Sequence, residues 1–359
     1  MAPERERAQV LTILKRHGRD ATSFQTLEPG FRYWFAGADA CVAYVETGSS
    51  WVAAGAPIAA PTRVAATAAA FVAAARTARR RAAFFATEPS FVAATPSLRA
   101  LAIGEQPVWE PAAWSDTLSR TASLRAQLRR ARAKGVSVRR VALEELTRAS
   151  HDTQRQIEAL IVRWRTRHAL PPMGFLVQVH AFSHPRERLC FVAERETRIV
   201  GFLAAVPVYA RSGWLFENLL RDPAAPNGTN ELLFDAAMRI VAADGSGYAT
   251  LGLAPLAGVV PWWLGLARAA AAYLYDFEGL AAFKAKLRPT SSAPLFLSYV
   301  PEHGALRTVL DALRAFARGR LLSFGVEALV RASRRREELA KPSPRRVVVS
   351  LSPSGASPL

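Results

Sequence analysis

Cysteine is nearly absent from this 359-residue sequence: Cys41 and Cys190 are the two, far apart and without a CxxC neighbour. That excludes a disulfide framework and a structural zinc site, and it suits a reducing, cytoplasmic compartment. Both thiols are expected to be small buried hydrophobes. Lysine is scarce too, five residues among 47 basic ones, and with only 29 acids the formal net charge is +18. The shortage of negative charge points to anionic partners such as nucleic acid, anionic lipid or a phosphorylated substrate. No GxSxG, P-loop lysine motif or HExxH occurs, which removes several hydrolase and NTPase classes. The charged N-terminus lacks the apolar core of a secretory signal. The longest uncharged run, residues 245–267, has 23 residues, enough to cross a bilayer, but its five glycines and two prolines read as a buried strand entering a loop.

A hydrophobic fraction of 50% supports ample buried core, and the length suits two domains. In the first half, strands are expected at residues 40–47, 50–54, 82–87 and 98–104, with an Ala-rich helix from Thr62 to Arg81. Residues 119–140 separate the halves: from Arg120 to Arg140 there are eight cations and no acid. At helical spacing Arg125, Arg129 and Arg132 share a face, and Gly135 stops the helix. That face is either solvated or a phosphate-tracking surface for tRNA or anionic lipid. The second half alternates again, with a helix over 145–168, strands at 188–194, 198–209 and 214–221, and a helix from about Asn230 to Ala243. The fold class is therefore α+β, or mixed α/β, in two halves. Further on, Leu306, Leu310, Leu313 and Ala317 make an apolar stripe beside Arg307, Arg314 and Arg318, suited to packing on the domain or to an anionic membrane. Packing is the expected outcome. The Pro/Ser/Arg-rich residues after 338 are expected to be disordered.

Two stretches carry chemistry. Residues 214–238 place a strand, then Arg221, Pro223, Pro226, Asn227 and Gly228, then a helix capped by Thr229 or Asn230. This strand, loop and helix aim backbone N–H groups and a helix dipole at one spot, which makes an anion site. GNAT-type acyltransferases build their pyrophosphate loop in the same way. In residues 283–288, FKAKLR, an extended chain would put Lys284, Lys286 and Arg288 on one face as a phosphate or carboxylate clamp. His180 and His184 stand four apart, but no third ligand accompanies them, so no metal site is expected.

The runs LLRDPAAPNGTNELLFDAAM, GYATLGLAPLAG and YDFEGLAAFKAKLRP resemble the catalytic region of the lysyl-phosphatidylglycerol synthase (multiple peptide resistance factor) family. The opening RYWFAGADACVAYVETGSSWVAAGAPI and the basic SLRAQLRRARAKG are similar to that family as well, so the likeness spans roughly residues 8 to 330 in order. The resemblance implies two tandem GNAT-like domains, residues 1–118 and 141–300, joined by a basic helix within 119–140. A basic helical segment at 301–338 and a tail at 339–359 follow. It also implies transfer of an aminoacyl group, lysyl in the family's name, from aminoacyl-tRNA to phosphatidylglycerol or a related hydroxyl-bearing lipid. The chain would be a cytoplasmic protein, peripheral on the membrane's inner face, using no metal or other cofactor. Matched to the family's motifs, Arg221, Asn227, Gly228 and Glu231 belong to its APNGT element, Pro255 to LGxAPLxG, and Lys284 and Lys286 to GLxxFKxK. Glu231 stands where Asp is common, and SSAPLFLSYV replaces a Trp-rich ending.

An aminoacyl ester is already activated, so catalysis needs alignment and charge stabilisation. Lys284, Lys286 and Arg288 are expected to hold phosphate, Arg221 and the Asn227–Thr229 loop to bind phosphate or the oxyanion, and Glu217 or Glu231 to recognise the α-amino group or act as base. Arg125, Arg129 and Arg132 would follow tRNA or lipid phosphates. Two other functions fit the residues: a GNAT enzyme using acyl-CoA and an amine, marked by affinity for CoA without affinity for charged tRNA, and a non-catalytic module holding anionic lipid or RNA, marked by salt-sensitive binding without transfer.

Overall fold

A computed structural model describes residues 2–148, 151–166, 174–271 and 276–318, except the side chains of 2, 3, 267 and 269–271. Helix α1 (Ala2–His17) buries Val10, Ile13 and Leu14, which recur at helical intervals. Strands β1 (Arg32–Phe35), β2 (Cys41–Glu46) and β3 (Ser50–Ala54) form an antiparallel meander. Helix α2 (Val64–Thr77) then crosses to β4 (Arg81–Thr87), parallel to β3. Helix α3 (Pro89–Ala94), β5 (Arg99–Trp109) and α4 (Trp114–Arg120) complete the first half. The basic stretch becomes α5 (Ala122–Ala133), stopped at Gly135, which takes φ +77°, and β6 (Val136–Arg140). There follow α6 (Leu143–Thr147), α7 (Asp152–Thr166), β7 (Leu189–Arg195), β8 (Arg198–Val208), β9 (Gly213–Arg221) and α8 (Thr229–Ala243). Last come β10 (Tyr248–Thr250), β11 (Ala254–Pro255), α9 (Trp262–Ala271), α10 (Phe277–Lys286), β12 (Ser291–Tyr299) and α11 (Ala305–Phe316).

The expected mixed α/β class holds, and several boundaries move. The helix expected to start at Thr62 begins at Val64, and Arg81 already belongs to β4. The helix expected over 145–168 divides into α6 and α7. The extended FKAKLR is overturned: Phe283–Lys286 end α10 and Leu287 and Arg288 follow it, because Asp276 accepts from Gly279 N at 2.7 Å and caps a run of strong helix formers. The leucine stripe of α11 is a second reversal. Its packed face carries Thr308, Asp311, Ala312 and Ala315, while Leu306, Leu310 and Leu313 are exposed and, of the expected stripe, Ala317 just past the helix is buried. The tail at 339–359 and the part of 301–338 beyond Arg318 lie outside the described residues. No described helix is long and apolar enough to cross a membrane.

All twelve strands among the described residues join one sheet, in the order β1-β2-β3-β4-β12-β5-β10-β9-β8-β7-β6, with β11 on β5. Strand β12 comes from the stretch grouped by sequence with residues 141–300, yet it runs antiparallel between β4 and β5. In return, Val10, Ile13 and Leu14 of α1 share a core with Val206, Val208 and Leu215 of the second half. Each half thus supplies part of the other's packing.

A buried polar cluster lies close to this exchange. Asp20, just past α1, accepts from Ala56 N at 2.7 Å, and Glu88 pairs with Arg211, whose guanidinium lies 4.7 Å from the Tyr248 ring. Burial, with the charge of Glu88 adding to it, pushes Asp20 up to about 6. The native state therefore keeps a proton that the unfolded chain has lost between about pH 4 and pH 6, so this group's contribution to stability falls as pH rises through that window. Asp20→Asn, which keeps an acceptor for Ala56, is expected to flatten that slope and raise stability at neutral pH by roughly 1–3 kcal/mol in urea unfolding. An unaltered slope between pH 4 and pH 7 would contradict this.

Candidate active site

Strand β9 carries a bulge. Ala204 faces Asn218 and Ala205 faces Phe216, so Glu217 is the extra residue between two ladder positions. A bulge re-aims a side chain, and here it turns Glu217 into the interior, with its side chain 4% exposed. Arg188, where the chain enters β7, meets it there: Nη1 donates to Glu217 Oε1, Nη2 to Glu28 Oε1 at 2.5 Å and Nε to Ser183 O at 2.6 Å. The Arg188 side chain has no solvent exposure. Glu217 also accepts from Asn218 at 3.0 Å and from Gln25 at 3.3 Å, and burial raises its pKa.

Gln25, Glu28, Phe175, Leu176, Gln178, His180 and Glu217 line a small cavity at this point. Two carboxylates share one guanidinium, which leaves a negative surplus. Glu28 Oε2 is buried without a hydrogen-bond partner, and His180 Nδ1 lies 3.7 Å from it. Because His180 Nε2 donates to Gln178 Oε1 at 2.8 Å, Nδ1 of the neutral ring holds a lone pair. Burial pushes His180 below its ordinary pKa, against the pull of Glu28, so the neutral ring is favoured. Two acceptors then face each other with no donor between them, an arrangement suited to an ammonium group.

A second cluster surrounds the start of α8. Arg221 Nη1 donates to Asn227 Oδ1 at 3.0 Å, and the buried carboxylate of Glu231 pairs with Lys286 of α10. Gly228 takes φ +96°, and a Cβ there would lie 2.4 Å from the Gln127 carbonyl, so α5 occupies the approach to this turn. Thr229 is fully buried and donates to Pro226 O at 2.7 Å. Gly228, not Thr229, is the N-cap residue of α8, contrary to the sequence expectation. Pro255 is half-buried in β11, beside Gly104 of β5.

Lys284 departs furthest from expectation. The chain leaves the sheet after Thr250, so the next carbonyls have no ladder partner, and Lys284 Nζ donates to those of Leu251, Gly252 and Leu253 at 2.9, 2.9 and 2.8 Å. Three acceptors match the three N–H bonds of an ammonium, although burial pushes its pKa down to about 7. The phosphate clamp of Lys284, Lys286 and Arg288 does not form: the first is buried against carbonyls, the second is paired with Glu231, and Arg288 lies exposed beyond α10 at φ +53°. The arginine face of α5 also divides. Arg125 donates to Leu118 O at 2.8 Å and Arg132 pairs with the buried Asp235, while Arg129 is exposed without a carboxylate partner among the described residues.

Sequence reasoning found Glu217 but missed Glu28, Arg188 and Gln25, and weighed His180 only as a metal ligand. A charged residue opening the apolar run LCFVA was the available signal for Arg188. No group of three or more potential metal ligands occurs among the described residues.

The family model described as phosphatidylglycerol lysyltransferase, C-terminal, matches residues 11–299. Among solved structures, the chain is similar to the C-terminal domain of a putative lysylphosphatidylglycerol synthetase from Agrobacterium fabrum, with TM-score 0.76 and 22% identity over 88% of this chain and 98% of that one. It is also similar to L-PGS from Bacillus licheniformis, with TM-score 0.74 and 20% identity over 87% and 96% of the two chains. FemX shares the architecture more loosely, with TM-score 0.52 and 11% identity over 87% of this chain and 98% of that one. No curated protein matches the sequence.

Lys284→Met is expected to keep the apolar stem but leave three carbonyls without their donor, lowering stability by about 1–3 kcal/mol in urea unfolding at neutral pH. A phosphate-binding lysine on an exposed face would leave the midpoint unmoved.

Proposed function

Because the chain belongs to the phosphatidylglycerol lysyltransferase C-terminal family, a family of transferases, we propose that it moves an aminoacyl group from aminoacyl-tRNA to phosphatidylglycerol or a related hydroxyl-bearing lipid at the cytoplasmic membrane face. The acceptor hydroxyl oxygen bonds to the ester carbonyl carbon, the bond to the ribose oxygen breaks, and the hydroxyl proton ends on that ribose oxygen. No oxidant, metal or cofactor enters this balance. The protein's task is to hold both substrates in register.

The observation that carries the reading is the pocket of unopposed acceptors at Glu28 and His180. An aminoacyl ammonium can donate to both, and the negative surplus around Arg188 favours a cation over a neutral group. Phe175 and Leu176 supply an apolar wall beside it. Glu217 and Glu231 each hold a cation already, so they act here as charge-holding groups rather than as bases. Exposed Arg129 and Arg130 on α5 supply a surface for the phosphates of the donor.

Expression in a bacterial host that makes phosphatidylglycerol but no aminoacylated form, followed by lipid extraction and mass spectrometry, should reveal a new aminoacyl lipid. Glu28→Gln keeps an acceptor for Arg188 and removes the charge, and is expected to lower transfer at least tenfold, about 1.4 kcal/mol or more, mainly through KM for the donor. Turnover of an acyl-CoA with no use of charged tRNA would sink the reading.

A further inference from the structure

Two helices that pack into the same core cluster, α9 and α11, turn large apolar side chains to solvent. Both α9 and α11 pack on one face of β4, β5 and β12, where Leu264 and Ala312 share a cluster with Leu101 and Leu297. On α9 the inward residue is Leu264, 5% exposed, while Trp262 and Leu266 on the opposite side are 77% and 62% exposed. Val259, in the loop leading to α9, is 94% exposed. On α11 Leu306, Leu310 and Leu313, at i, i+4 and i+7, are 65%, 36% and 46% exposed and point away from the sheet. Large apolar side chains exposed on two helices that pack into one core cluster are more than the scattered exposed leucines of an ordinary surface.

Cations predominate on the two helices themselves, while Glu302 precedes α11 and Glu105 lies beside Gly258 in the loop before α9. Helix α9 contains no acid, and the one acid of α11, Asp311, is buried and bound to Arg81 and Arg314. Arg307 flanks the leucine stripe without a carboxylate partner among the described residues, and Arg268 and Arg318 lie at the ends of the two helices.

We propose that this exposed apolar face is a docking surface for an anionic lipid bilayer, with α9 and α11 lying in the interface plane. Trp262 and the leucines enter the headgroup boundary, and the arginines meet lipid phosphates. A second copy of the chain fits less well, since pairing two such faces would bring arginine against arginine. The proposal deepens the reading of a lipid acceptor and has its own readout, which needs no transfer.

Co-sedimentation of the full chain with vesicles of phosphatidylglycerol mixed with phosphatidylcholine should show binding that falls with added salt, and little binding to phosphatidylcholine alone. The double variant Trp262→Ser, Leu310→Ser is expected to bind the mixed vesicles at least tenfold more weakly with its thermal midpoint retained, and Arg307→Glu to lose affinity for the anionic vesicles only. Aminoacyl transfer to a short-chain, monomeric phosphatidylglycerol should stay unchanged in the double variant, which separates failure of docking from failure of the proposed activity. Equal sedimentation of wild type and double variant would overturn the proposal. So would light scattering that finds a dimer broken by the same substitutions.

Discussion

A guanidinium without access to water must be matched by negative charge, and at Arg188 that requirement links the two halves of the molecule. Its partners arrive from opposite directions: Glu28 from the loop after the first helix, Glu217 from the bulge in the middle of the second half. Removing either carboxylate would take a charge-assisted hydrogen bond from a guanidinium that has no access to water, a loss of about 1.5–3 kcal/mol. The halves are therefore held together at the place where a substrate is proposed to enter. The same arrangement creates the site's chemistry, because two carboxylates for one cation leave an acceptor over.

Lys284 answers a similar need with the opposite sign. Carbonyls that leave a sheet must find donors, and a lysine from a capped helix supplies three at once. Its stem crosses a buried layer, and its ammonium sets the path of residues 251–253 as they turn towards β11. The lysine serves the shape of the loop. A compact ammonium suits this place better than a planar guanidinium, which offers its donors in one fork.

The net charge of +18 is not one feature. Part of it lies inside ion pairs: Arg132 with Asp235, Arg139 with Glu145 and Glu194, Arg163 and Arg198 with Asp222. These arginines orient elements and offer little to a ligand. Others face solvent without a carboxylate partner among the described residues, Arg129 and Arg130 on α5 and Arg307 on α11 among them. The bare count carried no information about this division, since an arginine in an ion pair and one facing solvent read alike in sequence.

Much of the architecture was legible because it depends on local periodicity and local caps. Strands β2 and β3 of the meander, the basic helix ended by Gly135 and the strand, loop and helix around Asn227 and Gly228 all follow from residues within a turn or two of each other, whereas β1 was missed. The family likeness was legible for the same reason, being carried by short runs in order. Where two local patterns competed, as in FKAKLR, alternation misled and the cap at Asp276 decided for a helix. The tertiary structure alone decided which charges meet, which leucines stay outside and which strand completes the first half's sheet. Glu28, Arg188 and Glu217 are separated by up to 189 positions in the chain, and burial of one guanidinium brings them together, a long-range electrostatic demand that no window of sequence expresses.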